Sequence, residues 1–503
     1  MTTPPVQIVG FTSTDFVPGF VGETVLGAGA ISASSIPNRV LLVGNKTAAG
    51  SATANQDTNQ IFSEDDANSY YGVGSELARM LYAALRVPGV ILYGSPNTES
   101  VGANATFTIT PTSAATSDGT VAYRIDGRRT EIPITNGDAV ATATARIAAY
   151  LNRDTKLPFT FGSTTTVVTG TAKNKGLRSN DLIIFQDTTK APTGMTFALA
   201  GGASVTGGGK KATGGTTADD ITTVAANVFS AWYQRVGLAV RDATNLGVWE
   251  TNTDNKAGPL EGRPEHVTCA SNDTLSNWTS VAQTTLNNGR FCALWMLNGE
   301  SDPAEMAAFF AALRAVTEQG DPNTDYDGAV LTGIAPHSQT ADIPQRATKV
   351  SALQNSVTPI TTEDNSAKVV RAITTRSLNG TTPDYRCLDT NQAVTPDTFR
   401  IAVGLRWLAY KTANPIVADD PAPEQPDRPS GVATPSRWNS EVEKVLRDFE
   451  AGRGFSSGLP QCIDVDLNKP ASGYDKAAKR IMTLAPIVPA PRHHQVGVSV
   501  RQL

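Results

Sequence analysis

Short unbroken apolar runs alternate along this chain with helical periods, and that alternation limits its fold more than any other feature. Val40-Leu41-Leu42-Val43 contains no polar residue, and Val90-Ile91-Leu92-Tyr93 is equally continuous. A strand with one wet face alternates polar and apolar side chains, so a continuous run marks a strand covered on both faces. Between the two runs, Leu77, Met80, Leu81, Ala84 and Leu85 recur at helical spacing until Pro88-Gly89. Residues 65–86 therefore read as helical, interrupted at Gly72 and Gly74, inside a βαβ-like unit. The rhythm resumes near Ala218. A helix over 219–235 leads to a strand at 238–240, a strand at 266–270 to a helix over 274–286, and a strand at 291–297 to a helix over 303–319. Pro303 after Asp302 suits a first helical position. This order predicts a mostly parallel sheet with helices on its faces.

Between these stretches Thr, Ser, Gly and Ala dominate. Strands are expected at 106–110, 121–125, 130–134, 164–169, 181–185 and 195–199, with one Ala-rich helix over 138–152. Asp126-Gly127 between alternating segments signals a hairpin. Residues 95–215 thus read as a β-rich domain inserted into an α/β core, with the Gly-rich stretch 201–215 as a linker or mobile loop. The core comprises 31–94 and 216–485, divided into subdomains 216–343 and 344–485. In the second, helices are expected over 345–354, 396–410 and 436–450, strands at 359–362 and 369–375, and a Pro- and acid-rich loop over 419–435.

The two ends read as extended arms, 1–30 and 486–503. The first carries Val6, Ile8, Phe16, Phe20 and Val21 between Pro and Gly breakers, and the second alternates Val496, Val498 and Val500. Such pieces cannot bury themselves alone, but they suit β-augmentation, in which a strand of one subunit completes a neighbour's sheet. The fold class expected is therefore α/β (α+β) and multi-domain: a helix-covered mixed sheet, an inserted β-rich domain and two terminal strand arms.

Charge and motif patterns exclude most chemistries. Lys+Arg number 42 against 47 Asp+Glu, without a basic block, so no nucleic-acid footprint is expected. The longest apolar stretch, 306–316, is broken by Arg314, well short of a membrane span. Met1-Thr2-Thr3-Pro4-Pro5 lacks the basic and apolar regions of a secretory signal. Cys269, Cys292, Cys387 and Cys462 form no CxxC and read as reduced thiols. Gly209-Lys210 has Ser204 where a phosphate loop needs glycine, and Gly72-Val73-Gly74 has Leu77 where a dinucleotide fingerprint needs one. Gly454-Phe455-Ser456-Ser457-Gly458 fits the nucleophile elbow G-x-S-x-G, with Asp464, Asp466 and His493 or His494 following. The elbow needs a strand before the serine and a helix after it, whereas a helix precedes Ser456. Glu64-Asp65-Asp66 reads as a helix start, Asp419-Asp420 as a solvated loop, His337 as structural, and Trp232, Trp295 and Trp407 as core. No catalytic, metal or cofactor site is expected.

Several segments resemble the Mu-like tail sheath family of contractile-tailed bacteriophages. They are Phe16-Val17-Pro18-Gly19-Phe20-Val21-Gly22-Glu23, Val40-Leu41-Leu42-Val43-Gly44, the run from Tyr71 to Met80, Ala231-Trp232-Tyr233, the run from Ala352 to Pro359, Val370-Arg371-Ala372-Ile373-Thr374-Thr375 and Pro383-Asp384-Tyr385. Val17 stands where the family has Arg, and Phe20 where it has Tyr. The resemblance covers most of the chain outside 95–215. It implies a sheath subunit that polymerises with itself in hexameric rings stacked helically around a tail tube protein. Baseplate and tail terminator proteins would bound the stack, which contracts without hydrolysing a nucleotide. It also implies a place in the virion tail, assembled in the host bacterial cytoplasm, with no membrane insertion. The face toward the tube is expected after Pro344, on the basic helix with Arg400, Arg406 and Lys411. The alternatives are another structural or adhesive virion protein, or a serine hydrolase using Ser456. Charged residues are only 18% of the chain, below the roughly 25% of ordinary soluble domains, which suits a subunit whose surface is mostly interface.

Overall fold

In a computed structural model of the chain, the described residues are 38–463 and 469–491. The arm residues Val6, Ile8, Phe16, Phe20, Val21, Val496, Val498 and Val500 lie outside them. The described residues begin with β1 (Arg39–Asn45), β2 (Asn59–Ile61), α1 (Glu64–Tyr71), α2 (Glu76–Ala84) and β3 (Ile91–Asn97). β1 pairs in parallel with β3, Val40 opposite Leu92, and β2 runs antiparallel on the far side of β3. The period at 65–86 is two helices. Ser63 caps α1 and Ser75 caps α2, each side chain accepting a backbone N–H of the first turn. Gly72 and Gly74 between them take φ of 84° and 73°, which no helix accommodates.

After β3 the chain leaves this sheet. β4 (Asn104–Thr112), β5 (Gly119–Ile125), β6 (Arg128–Ile134), α3 (Val140–Leu151), β7 (Phe159–Ser163), β8 (Val168–Lys175), β9 (Ile183–Asp187), β10 (Thr196–Ala200), β11 (Ser204–Val205) and β12 (Gly209–Lys211) follow. Their sheets run β10-β4-β8-β7 and β11-β12-β9-β5-β6. They enclose a separate core that includes Phe107, Tyr123, Ile132, Ile147 and Phe159. Asp126 and Gly127 both take positive φ at the β5–β6 turn, as a two-residue hairpin requires. Two expectations fail here. The strand expected at 164–169 begins only at Val168, the start of β8, and 164–167 form the turn joining β7 to β8, closed by Thr164 and Val167. The Gly-rich stretch is no loop, because β11 and β12 pair as a hairpin and β12 adds to β9. Gly209 serves packing rather than mobility: a Cβ there would lie 2.6 Å from Val205 and 2.7 Å from Phe185.

The chain returns through α4 (Thr222–Asn227), β13 (Arg235–Leu238), α5 (Ala243–Ala257), β14 (His266–Ser271), α6 (Leu275–Ser280), β15 (Phe291–Trp295), α7 (Pro303–Gly320), α8 (Arg346–Gln354), β16 (Thr358–Glu363) and β17 (Ser366–Val369). The main sheet runs β17-β16-β15-β14-β13-β1-β3-β2, parallel from β16 through β3. The helix expected over 219–235 is only α4, and the following strand starts at Arg235. A buried strand tolerates that arginine because Glu318 of α7 pairs with it. α5 was not legible in the sequence, because its buried face carries Asn252, Thr253 and Lys256. Glu265 satisfies that face, accepting from Trp249, Thr253 and Lys256 at 2.8–3.1 Å. The strand expected at 369–375 is instead β17, turned back from β16 at Asp364-Asn365, both at positive φ. Because β16 and β17 extend the main sheet, a subdomain boundary at 344 would cut through it.

The remainder begins with a small ladder, β18 (Leu378–Asn379) on β19 (Thr382–Pro383). α9 (Thr390–Ala413), β20 (Ile416–Val417), β21 (Val432–Ala433), α10 (Pro435–Glu450), β22 (Ala471–Asp475) and β23 (Arg480–Leu484) complete it. α9 starts six residues before Pro396, which therefore lies inside the helix rather than at its start. Phe399 and Ala402 of α9 pack with Trp438, Val442, Leu446 and Phe449 of α10 in a further core. Among the described residues, no helix is long and apolar enough to cross a membrane.

Candidate functional site

Ser456 is exposed in a turn after α10 and packs beside Gly320 at the end of α7. A helix precedes it where an elbow needs a strand. The described histidines are engaged elsewhere. His337 Nδ1 lies 2.9 Å from Thr362 Oγ1, and His266 Nε2 lies 3.2 Å from Asp397 Oδ2. Asp464, Asp466, His493 and His494 lie outside the described residues. The four cysteines are buried, and burial raises the Cys387 thiol to about 11 and Cys462 to about 12, far from a reactive thiolate. Among the described residues, no cluster of His, Cys, Asp and Glu could hold a metal ion.

Charge concentrates instead where the inserted sheets meet the main sheet and its helices. Arg79 of α2 donates to Asp302 at 2.8 Å, to Glu305 at 2.9 Å and to Asp126, at the β5–β6 turn, at 3.3 Å. Asp126 also accepts the Asp302 N–H at 3.0 Å. All four side chains are buried. One arginine therefore serves three acids, and burial together with Asp126 pushes the Glu305 carboxyl well above the usual carboxylate range. Nearby, Arg178 Nε donates to Glu76 at 2.9 Å, and its Nη1 lies 2.6 Å from Asp219. Burial opposes the ionised Glu76 carboxylate, but Arg178 outweighs it and holds the pKa low. Arg124 reaches Glu300 at 3.1 Å, and Arg241 reaches Asp181 at 3.0 Å. The inserted sheets are thus joined to the core by desolvated ion pairs. Sequence reading missed this interface, because its members are single charges scattered over more than two hundred residues.

The α9–α10 region holds the expected basic residues, and they part company. Arg400 is buried, donating through Nη2 to the Gly258 carbonyl at 2.7 Å and also to Ala257. It fastens α9 to the end of α5. Its position on a basic, amphipathic helix gave no sign of this. Arg406 is exposed beside Glu441 of α10, and exposed Lys411 lies 4.8 Å from the Trp407 ring. A second clamp lies one turn earlier, where Asp397 accepts both Nε and Nη2 of Arg290 at 2.8 and 2.9 Å. β22 and β23 form a two-stranded antiparallel sheet packed on α10, and no third strand joins it among the described residues.

No protein-family model matches the chain. Over 318 residues it is 23% identical to the tail sheath protein of the Mu-like prophage FluMu of Haemophilus influenzae, a match spanning 62% of this chain. This chain is similar to a Mu-like tail sheath protein. The match covers 63% of that relative's length. Among solved structures, the sheath tail protein of Desulfitobacterium hafniense aligns at a TM-score of 0.45 and 13% identity, covering 95% of this chain and 100% of its own. The contracted sheath of an extracellular contractile injection system aligns at a TM-score of 0.46 and 9% identity, covering 98% and 99%.

Proposed function

We propose that this chain is the structural subunit of a contractile phage tail sheath. The observation that carries the reading is the similarity to the FluMu tail sheath protein over 318 residues. Subunits assemble with one another in hexameric rings stacked helically around a tail tube, between baseplate and tail terminator proteins. The stack is built extended and metastable, and its contraction drives the tube through the host envelope. The chain acts as a mechanical part of the virion and not as an enzyme, and it assembles in the host cytoplasm. Arm 1–30 and the part of arm 486–503 after Pro491 link neighbouring subunits, whereas Ile487 packs in the α9–α10 core and Ala490 N–H donates to the Gln461 carbonyl at 3.0 Å. The β22–β23 hairpin supports this, since a two-stranded sheet packed on a helix offers edges to an incoming strand. Each main-chain hydrogen bond gained contributes about 0.5–1.5 kcal/mol. The exchange is head-to-tail, so it propagates rather than closing at a dimer. Tube contact is assigned to Arg406 and Lys411, the exposed pair on α9.

Deleting 495–503 tests the arm. The truncated chain is expected to remain folded by circular dichroism and to form no tubes or rings in electron micrographs. Long tubes from the truncated chain would overturn the arm assignment.

A further inference from the structure

Among the described residues, five acids share three arginines where the inserted sheets dock. Arg79, Arg178 and Arg241 face Glu76, Asp126, Asp219, Asp302 and Glu305, and each of these side chains is at least nine-tenths buried. A dry site does not hold uncompensated negative charge, so bound protons make up the difference. Arg178 takes up Glu76 through two nitrogens. Asp302 has Arg79 Nη2 at 2.8 Å and also accepts the Ala304 N–H at 3.0 Å, which keeps it ionised. Asp126 and Glu305 are served worst. Both lean on one nitrogen, Arg79 Nη1, at 3.3 and 2.9 Å, so a carboxyl of the insertion is held beside a carboxyl of the core.

We propose that Asp126 and Glu305 share one proton across this interface, and that its release as pH rises loosens the insertion from the core. The other groups around the pair do not replace that proton. Arg128 of β6 is committed to Asp154 at 3.1 Å. Arg241 lies 3.7 Å from Asp302, on the side away from the pair's shared nitrogen. The Tyr82 phenol of α2, raised by burial, stays neutral. Lifting the insertion lets water reach Glu305, which then ionises near the 4.5 of a free glutamate, whereas the docked carboxyl keeps its proton to higher pH. Undocking therefore gives up a proton, and each pH unit favours it by up to about ten-fold. Docking is tightest in acid and weakens as pH rises, until the docked pair ionises as well. Two neighbours have the opposite sign but act outside pH 6.5–8. His337 titrates below 6.5, and Lys173, which ties β8 to the Val73 carbonyl at 3.0 Å, is lowered by burial to about 8 and strengthens docking only above that. The inference does not depend on the sheath reading, because it concerns one chain in isolation.

The Asp302 N–H reports undocking directly, since it is donated to Asp126 Oδ1 at 3.0 Å inside the buried interface. Its hydrogen exchange is measured in the full-length chain and divided at each pH by the rate of an unstructured peptide. Protection is expected to fall about ten-fold between pH 6.5 and 8. Glu305→Gln keeps an acceptor for Arg79 and supplies a permanent donor to Asp126, so its protection is expected to change less than about two-fold over that range. Asp126→Asn is expected to flatten the dependence as well, because either amide removes the like-charged pair. Infrared spectra at pH 6.5 supply a second measurement: the parent is expected to show a carboxylic-acid band that weakens in Glu305→Gln. The same pH dependence in the parent and in Glu305→Gln would overturn the proposal, and so would a carboxylic-acid band that the substitution leaves unchanged.

Discussion

Arg79→Met separates an electrostatic from a packing account of how the inserted sheets are held. Methionine keeps the aliphatic stem and deletes the guanidinium. The side chains of Asp126, Asp302 and Glu305 are only 1%, 4% and 8% exposed, so water cannot take over the arginine's role. Removing one partner of a buried ion pair costs about 3–5 kcal/mol. Two features pull the value toward the lower end. Glu305 already favours its neutral form, and Arg241 remains 3.7 Å from Asp302. The expected loss is about 3 kcal/mol, a factor of about a hundred in the docking equilibrium. All six tryptophans lie outside the inserted sheets, so urea unfolding followed by fluorescence reports the rest of the chain, while far-ultraviolet dichroism reports both. The variant should separate the two signals, with the dichroism change coming first, and should raise hydrogen exchange in β5 and β6. Asp126→Asn is the control. It retains an acceptor for the Asp302 N–H and relieves the crowding of three acids around one arginine, so it should stay within about 1 kcal/mol of the parent. An Arg79→Met loss below about 1 kcal/mol with coincident transitions would refute the reasoning. Equal losses in the two variants would point to packing instead.

Gly127→Ala should weaken the same docking by about 1–3 kcal/mol, because Gly127 sits at φ 68° and an added Cβ would lie 2.8 Å from Ala335 Cβ; hydrogen exchange at the β5–β6 turn checks it. Burial lowers the pKa of His337 to about 4 from the 6.5 of a free imidazole, so the unfolded chain takes up the proton first as pH falls. The stability this contributes is complete above pH 6.5 and is lost between 6.5 and 4, about 3 kcal/mol in all. His337→Gln should flatten that part of the stability–pH curve. Phe449→Ala, at the centre of the α9–α10 core, should cost about 3–5 kcal/mol by thermal unfolding. Charge reversal at Arg406 and Lys411 should abolish co-sedimentation with tail tubes at a stability cost of about 1 kcal/mol from the lost Glu441 pair, and intact binding would remove α9 from the proposed tube face.

Elements whose own side chains solve their burial were legible from the residues. β1 and β3 needed only their apolar runs, α7 its Asp302–Pro303 start, and the β5–β6 hairpin its Asp126-Gly127 turn. Elements whose burial is completed by a distant partner were not. α5 hides behind polar residues that become apolar in effect only once Glu265 accepts from them. β13 starts at an arginine that Glu318 neutralises from 83 residues away. The glycines of 201–215 read as mobile because sequence cannot show the side chains of Val205 and Phe185 crowding Gly209. Arg400 looked like a surface cation for the same reason, since the carbonyls that take it up belong to residues 257 and 258.

The sequence by itself determined the alternation of buried strands and helices, the β-rich insertion and the sparsely charged ends with their apolar, strand-like stretches. Those properties are written in neighbouring residues, through periodicity and turn chemistry. The tertiary structure alone decided which charges are buried, where the insertion is fastened, and which face of α9 packs on α10. Those depend on groups far apart in the chain that meet only after folding, and desolvation then sets their energies.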